Sequence, residues 1–323
     1  MTGGGGRGAG ALHGVLLVDK PPGRSSFSVV HEVRRATGVA KAGHAGTLDP
    51  MATGVLAVCV GEGTKAAAFL LREDKEYEAV VALGTRTDTD DADGAVVETV
   101  SPPAGLDLAR VRAALAGFLG PQRQRPPQVS AIKVEGRRAY ARARAGEEFE
   151  LEERDVVVHA LEATALELGP PVRVALRVRA SKGFYVRSLA RDLGGALGTV
   201  AHLAALRRTR AGAFEVGRAL PLAEIVRRCQ SGEPLPLLTC AEALAELPAV
   251  ALDAEGAAGV RTGRPPRPAE LRGAGSEPAP GDLMRLLDPD GELAAVVRIG
   301  AADALQRVEL CRVFFARGTA APA

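Results

Sequence analysis

Asp49 is followed by Pro50 inside Gly43-His44-Ala45-Gly46-Thr47-Leu48-Asp49-Pro50-Met51-Ala52-Thr53-Gly54, the stretch of this chain best built to display a reactive side chain. A proline disfavours the helical region for the residue before it, so Asp49 is expected to be extended in a loop. The flanking glycines let the backbone turn tightly and a ligand approach closely. A carboxylate held this way suits nucleophilic work, although an Asp-Pro in a glycine loop, taken alone, is usually just a turn. Read from the residues alone, Tyr77 at the start of an apolar run is a strand tyrosine packing on the core, and Arg187 is a surface arginine where a helix is expected to begin. Helix N-termini favour anions, so an arginine there is poorly placed unless a carboxylate partners it.

Other chemistry is excluded by spacing. From Asp88, the acidic run Thr87-Asp88-Thr89-Asp90-Asp91-Ala92-Asp93-Gly94 has Ala92 where a calcium loop needs its third acid, and Thr99 at position twelve. It reads as a structural turn. Gly61-Glu62-Gly63-Thr64-Lys65 lacks the spacing of a phosphate-binding loop. His13, His31, His44, His159 and His202 show no metal-ligand spacing. Cys59, Cys229, Cys240 and Cys311 form no CxxC pair, the pattern of free thiols in a reducing cytosol. No metal is expected.

The elements that must position these residues can be read from periodicity. Gly14–Val18 is a short strand ending in the turn Asp19-Lys20-Pro21-Pro22-Gly23. Ser25 or Ser26 then caps a helix carrying Val29, Val30 and Val33 and closed by Gly38. Residues 43–54 are expected to form a loop, Val55–Val60 a buried strand and Tyr77–Leu83 another. Leu108, Val111, Leu115 and Phe118 mark an amphipathic helix ended by Gly120-Pro121. Val172, Val174, Leu176 and Val178 alternate with Arg173, Arg177 and Arg179, the signature of a strand with one buried face. Val186, Leu189, Ala190, Leu193 and Leu197 form a helical stripe. Leu283–Leu287 and Leu293–Ile299 flank Asp288-Pro289-Asp290-Gly291 as a hairpin, and Val308–Phe315 is a last strand. Helices inserted between hairpins point to an α+β fold with a mainly antiparallel sheet.

At 323 residues the chain is long enough for about two domains. A Gly-rich tail is expected over residues 1–10, a main domain over 11–245, and a small β-rich domain over 246–323. No apolar run approaches the length needed to cross a bilayer, and the N-terminus lacks a signal peptide's apolar core, so a cytoplasmic location is expected. With 41 basic and 39 acidic residues the net charge is only +2. Any polyanion site must therefore come from local clustering. Residues 121–150 supply a cluster: Arg123, Arg125, Lys133, Arg137, Arg138, Arg142 and Arg144, with Glu135 the only acid before Glu147. Such a run is either a solvated arm or a nucleic-acid contact.

Five ordered segments between about Gly14 and Arg208 resemble one family, the bacterial tRNA pseudouridine-55 synthases (the TruB family). Gly43-His44-Ala45-Gly46-Thr47-Leu48-Asp49-Pro50 resembles its catalytic loop, and Asp19-Lys20-Pro21-Pro22-Gly23-Arg24-Ser25-Ser26 its N-terminal signature. Asp74-Lys75-Glu76-Tyr77 is similar to its tyrosine motif, the Asp88 run to its acidic turn, and Ser181-Lys182-Gly183-Phe184-Tyr185-Val186-Arg187 to its arginine motif.

The resemblance implies a pseudouridine-synthase fold, in which helices flank the mainly antiparallel mixed sheet, with a PUA-like domain after residue 246. It implies that Asp49 attacks the target uridine, that Tyr77 packs against the base and handles a proton, and that Arg187 pairs with Asp49. His44 would lie against the T-loop, and Lys20 matches a position in the family's structural first motif. Pro126-Pro127-Gln128-Val129-Ser130-Ala131-Ile132-Lys133 resembles the insertion that clamps the T arm, although Val129 stands where a tyrosine is common. The implied RNA-contacting side chains are His44, Lys20, Arg123, Arg125, Lys133, Arg137, Arg138, Arg142, Lys182, Arg207 and Arg208. The implied partner is the tRNA T-arm stem-loop, without guide RNA or obligate protein partner, and a monomer is expected. Pseudouridine formation changes no redox state and transfers no group between molecules, so no cofactor is expected.

Overall fold

The computed structural model describes residues 12–130, 133–134, 137–138, 142, 147, 149, 151–272, 279–300 and 308–314. The Gly-rich tail at 1–10 and Arg144 lie outside these residues. For Lys133, Arg137 and Arg138 only the backbone is described.

The chain opens with β1 (Gly14–Lys20), α1 (Ser26–Thr37), β2 (Ala42–His44), β3 (Thr53–Val60), the single-turn α2 (Ala67–Leu70), β4 (Lys75–Leu83) and the hairpin β5 (Thr85–Thr87) and β6 (Val96–Thr99). After α3 (Leu108–Ala116) come β7 (Gly120–Gln124), the short pair β8 (Lys133–Val134) and β9 (Arg137–Arg138), and two long strands, β10 (Arg154–Glu167) and β11 (Val172–Ala180). Then follow α4 (Val186–Ala196), β12 (Ala201–Ala211), β13 (Phe214–Glu215), β14 (Leu220–Pro221), α5 (Leu222–Ser231) and the short α6 (Cys240–Ala243). A separate set closes the chain: β15 (Ala249–Leu252), α7 (Ala254–Arg261), β16 (Leu271–Arg272), β17 (Leu283–Leu287), β18 (Leu293–Ile299) and β19 (Val308–Val313).

The large sheet runs in the order β14-β1-β3-β12-β4-β11-β10-β7, with β2 on β3 and β13 on β12. Only β1–β14 and β3–β12 pair in parallel; the other ladders are antiparallel. The fold is therefore α+β with a mainly antiparallel mixed sheet, as the order of strands and helices implies. A second sheet, β16-β15-β17-β18-β19, stands apart.

Local sequence explains the elements nearest the site. Ser25 caps α1 by accepting from the Ser28 N–H, and Gly38, at φ 70°, closes it by donating to the Arg34 carbonyl. Val29, Val30 and Val33 face the main core. The alternation in β11 buries Val174, Leu176, Val178 and Ala180 against the same core. The unbroken apolar run of β3 has a simple cause: the strand is covered on both faces. Leu56, Val58 and Val60 join the main core, while Val55, Ala57 and Cys59 pack with Phe214, Leu244, Leu293, Val296 and Phe314. That second cluster joins the small sheet to the large one.

One expectation needs correction. The stretch from residue 43 is not all loop, because Ala42–His44 pairs with β3 before the chain turns away. The first residues of the basic segment lie in Gly120–Gln124, an edge strand paired with β10. The 14-residue strand β10 gave no sequence signal, and neither did α5.

Candidate active site

Asp49 sits at the tip of the chain between β2 and β3, where the Ala52 N–H donates to its carbonyl in a tight turn. Three buried side chains hold this loop. Ser26, in the first turn of α1, donates to the Leu48 carbonyl at 3.0 Å and accepts from the Leu48 N–H at 2.8 Å. Lys20, at the end of β1, donates to the carbonyls of Pro21, Arg24 and Pro50. Arg208, in β12, donates to the carbonyls of Val55 at 2.8 Å, Gly46 at 3.1 Å and Thr47 at 3.3 Å. Gly54 permits this last arrangement: its φ is +104°, and a Cβ there would lie 2.2 Å from the Arg208 carbonyl oxygen.

Lys20 and Arg208 are 0% and 1% exposed. The expectation that they contact RNA is therefore corrected. A buried cation must be compensated, and here main-chain carbonyls do it, so both residues act as loop supports rather than phosphate ligands. Burial pushes the Lys20 ammonium down to about 8, opposed by Asp49 and Asp93. Replacing Arg208 by Met should strip donors from three carbonyls and destabilise the fold by about 3–5 kcal/mol. Urea unfolding measures this, and a loss under about 1 kcal/mol would show that the loop does not depend on Arg208.

Arg187, 138 residues further along the chain, meets Asp49 from the first turn of α4. Its Nη2 donates to Oδ1 at 3.0 Å. Its Nε lies 3.0 Å from Oδ2, a close ion pair whose N–H is not aligned for a hydrogen bond. Nη1 donates to the Thr89 and Val129 carbonyls at 3.0 Å each and lies 3.5 Å from Asp91 Oδ2. The guanidinium is 4% exposed and is spanned by carboxylates on two sides.

The acidic turn thus serves as a bracket. Asp91 accepts from the Thr89 hydroxyl at 2.6 Å and from the Asp93 N–H at 3.1 Å, and Asp90 reaches Arg191 at 3.3 Å. Among the described residues no group of acids, histidines and cysteines could hold a metal.

A cavity of about 280 Å³ opens beside Asp49, lined by Tyr77, Lys75, Leu71, Phe184, Tyr185, Leu206 and Arg208. Tyr77 enters from β4 beside Arg208; burial raises its pKa and the Arg208 charge opposes the rise, so the group rests as a neutral phenol. Burial also pushes the Asp49 carboxyl up, opposed by Arg187 and reinforced by Asp91. A carboxylate kept reactive in a water-poor pocket needs this kind of counter-charge.

Phe184, Tyr185, Leu206 and Lys75 were not singled out from sequence. Tyr185 lies within the quoted arginine motif, and its backbone is held on both sides by the Gln124 amide, at 3.1 and 2.8 Å. Lys75, beside Tyr77, is buried and donates to the Leu71 and Glu73 carbonyls. On the opposite flank of Asp49 a second recess carries Asp88, Asp91 and Asp93, a wall that repels phosphate.

The remaining expected RNA contacts are scattered. His44 ends β2 beside the loop, with its Nδ1 buried and without a hydrogen-bond partner. Lys182 is exposed at the cavity rim, between Ser181 and Gly183 of its lining. Arg207 points elsewhere: it forms a two-point pair with Asp19 at 2.8 and 3.1 Å and lines a separate groove with Glu78 and Arg177. Arg123 pairs with Glu153 at 3.5 Å on the edge strand. Arg125 is exposed, its carbonyl taken by Ser188 and Arg191. Arg142 pairs with Glu147 and stacks 5.0 Å from the Phe149 ring centre.

Comparison with known proteins converges on one family. Residues 34–186 match the TruB family pseudouridylate synthase N-terminal domain, and residues 187–235 match the tRNA pseudouridylate synthase B C-terminal domain. The second match ends before β15, so it covers α4, β12 and α5 rather than the small sheet.

The chain is 46% identical to tRNA pseudouridine synthase B of Dinoroseobacter shibae, over 79% of this chain and 83% of the relative. It is 42% identical to tRNA pseudouridine synthase B of Xanthomonas campestris pv. campestris, over 94% of each. Among solved structures, a chain of an H/ACA RNP bound to a substrate RNA containing 2′-deoxyuridine superposes with a TM-score of 0.73 at 25% identity, covering 94% of this chain and 85% of that one. A chain of a Cbf5-Nop10-Gar1 complex gives 0.72 at 27% identity, with coverage of 94% and 85%. With matches running through residues 34–235 and relatives more than 40% identical over most of their length, this chain belongs to the TruB family of pseudouridylate synthases.

Proposed function

We propose that this chain isomerises the T-loop uridine at position 55 of tRNAs to pseudouridine, with Asp49 as the nucleophile. The observation that carries the reading is the single cavity wall shared by Asp49, Tyr77 and Arg187, three residues brought together from separate parts of the chain. The reaction breaks the C–N glycosidic bond, turns the uracil and joins its C5 to the sugar. A carboxylate can hold one fragment covalently while the base turns, which divides one hard step into easier ones. Arg187 keeps that carboxylate oriented and ionised. Tyr77, resting as a phenol, packs against the base and handles a proton. The isomerisation is redox-neutral, so the residues present suffice without a cofactor.

The target uridine must leave its stack to reach the cavity, at a cost of roughly a few kcal/mol. Contacts outside the cavity offset that cost, and the basic segment after Gln124 is suited to clamp the T arm through phosphates. The small C-terminal sheet is assigned as a PUA-like RNA-binding domain on its strand pattern. A stand-alone enzyme is favoured over an RNA-guided one, because the relatives named tRNA pseudouridine synthase B are far more similar to this chain than are the chains from H/ACA and Cbf5 assemblies.

The test is incubation of an unmodified T-arm stem-loop with purified protein in EDTA, without guide RNA. Conversion of one uridine is expected; tight binding without conversion would favour an RNA-binding role instead. Replacing Arg137 and Arg138 by Ala should weaken binding and lower the slope of log K against log salt by about 1–2. A filter-binding series over salt checks this, and an unchanged slope would remove both side chains from the phosphate contacts.

A further inference from the structure

The outward face of α1 combines features that the reading above leaves unused. Phe27 is 75% exposed, the most exposed large apolar side chain among the described residues. His31, Arg34 and Arg35 follow it at intervals that place all four on one side of the helix, and each is exposed. Lys41, exposed just before β2, continues the stripe beyond the helix end.

Among the described residues, exposed cations without an ion pair also occur at Arg72, Arg110, Arg154, Arg173 and Arg218, and what distinguishes Arg34, Arg35 and Lys41 is their clustering on one face beside an exposed aromatic ring. Elsewhere on the surface Arg86, Arg177, Arg179, Arg210 and Arg227 lie within ion-pair distance of carboxylates. Among the described residues no carboxylate lies within that distance of Arg34, Arg35 or Lys41. The only acid in α1, Glu32, pairs with Arg24. On a chain whose net charge is close to neutral, this is a local positive field without internal compensation.

A helix dipole accounts for arginines in a last turn. It does not account for an exposed phenylalanine in the first turn or for a lysine outside the helix. The position of the stripe supplies a reason. Phe27 follows Ser26, whose hydroxyl holds Leu48 beside Asp49, and the Gly23 N–H donates to the Pro50 carbonyl. The first turn of α1, which carries Phe27 on its outer side, is therefore tied to the Asp49 loop, and the cationic end lies about 12 Å away along the helix.

We propose that the outer face of α1 is a second RNA-docking surface, where Phe27 stacks on an unpaired base flanking the target nucleotide and Arg34, Arg35 and Lys41 hold phosphates of the strand leading away. The proposal rests on the reading of this chain as an RNA-modifying enzyme. Aromatic faces accept any base and cations track phosphates, the combination used by single-strand binding surfaces. A protein partner would instead call for a contiguous apolar centre, and this face has one ring among charges.

The test compares RNA binding by the full-length protein, the triple variant Arg34→Ala/Arg35→Ala/Lys41→Ala, and a charge-matched control, Arg177→Ala/Arg210→Ala/Arg227→Ala, over a range of salt. The α1 triple variant should raise Kd roughly tenfold at 0.1 M salt and lower the salt slope by about 2. The control should leave the slope close to wild type. Phe27→Ala should raise Kd about fivefold or more without changing the slope. All positions are exposed, and thermal melting checks folding. Equal slopes for the α1 triple variant and wild type, or equal losses for the α1 and control triples, would overturn the proposal. Conversion by the wild-type protein is followed in the same samples: its absence would refute the enzymatic reading, while the slopes still report on α1.

Discussion

Asp49→Asn is expected to lower turnover by on the order of 10⁴-fold or more while leaving RNA affinity nearly unchanged. Asparagine is close in size to aspartate, and its carbonyl can still accept from Arg187 Nη2, so the loop should keep its place. What is lost is the charge that makes the group a nucleophile. Removing an anion near a polyanionic substrate cannot weaken binding electrostatically. Arg187 retains Asp91 at 3.5 Å, so the guanidinium is not left without an acidic neighbour. Single-turnover conversion and equilibrium binding, measured on the same preparation, check both halves. Residual turnover above about 1% of wild type would exclude Asp49 as the nucleophile.

The second large effect is expected at Arg187. Replacing it by Met leaves the Asp49 and Asp91 carboxylates facing one another without their shared cation. Breaking so buried a pair should cost about 3–5 kcal/mol of stability, and the melting temperature should fall by roughly 10 °C.

The pH dependence carries the more specific signal. The Asp49 pKa is already raised by burial, with Arg187 as the main opposing influence. Activity requires the ionised form, so the wild-type rate should fall as pH drops through that raised pKa. Without Arg187 the same fall should begin at a higher pH. Arg187→Lys keeps a charge but not the planar fork that reaches Asp49 and the Thr89 and Val129 carbonyls together, and should give a profile nearer to wild type at reduced rate. Stability loss without a moved profile would reduce Arg187 to a packing role.

Much of this site could be read from single segments, because its strongest cues are local. Asp49 is marked by Pro50 and its glycines, and α1 by Ser25 and Gly38. Arg187 was legible for a different reason: an arginine in the first turn of a helix needs an anion, and Asp49 and Asp91 provide it.

Lys20 and Arg208 were misread because residue type reports charge but not depth. Their carbonyl partners include Pro50 for Lys20 and Gly46, Thr47 and Val55 for Arg208, contacts that only the folded chain brings together. The strand β10 stayed hidden because its pairing with β11 slips between Val158 and Ala160 and again between Ala163 and Ala165. Each bulge inserts a residue and breaks the period of two on which strand reading depends. β2, with three residues and a central glycine, is too short to show a period.

The site of reaction on the RNA is the most direct test of Asp49 chemistry. Full-length unmodified tRNA, which offers many uridines, should be incubated with the purified protein in EDTA and mapped at single-nucleotide resolution. Pseudouridine at position 55 alone, formed by wild type and absent with Asp49→Asn, is the predicted result. Conversion spread over other uridines, or an equal yield at position 55 from the Asp49→Asn protein, would contradict it.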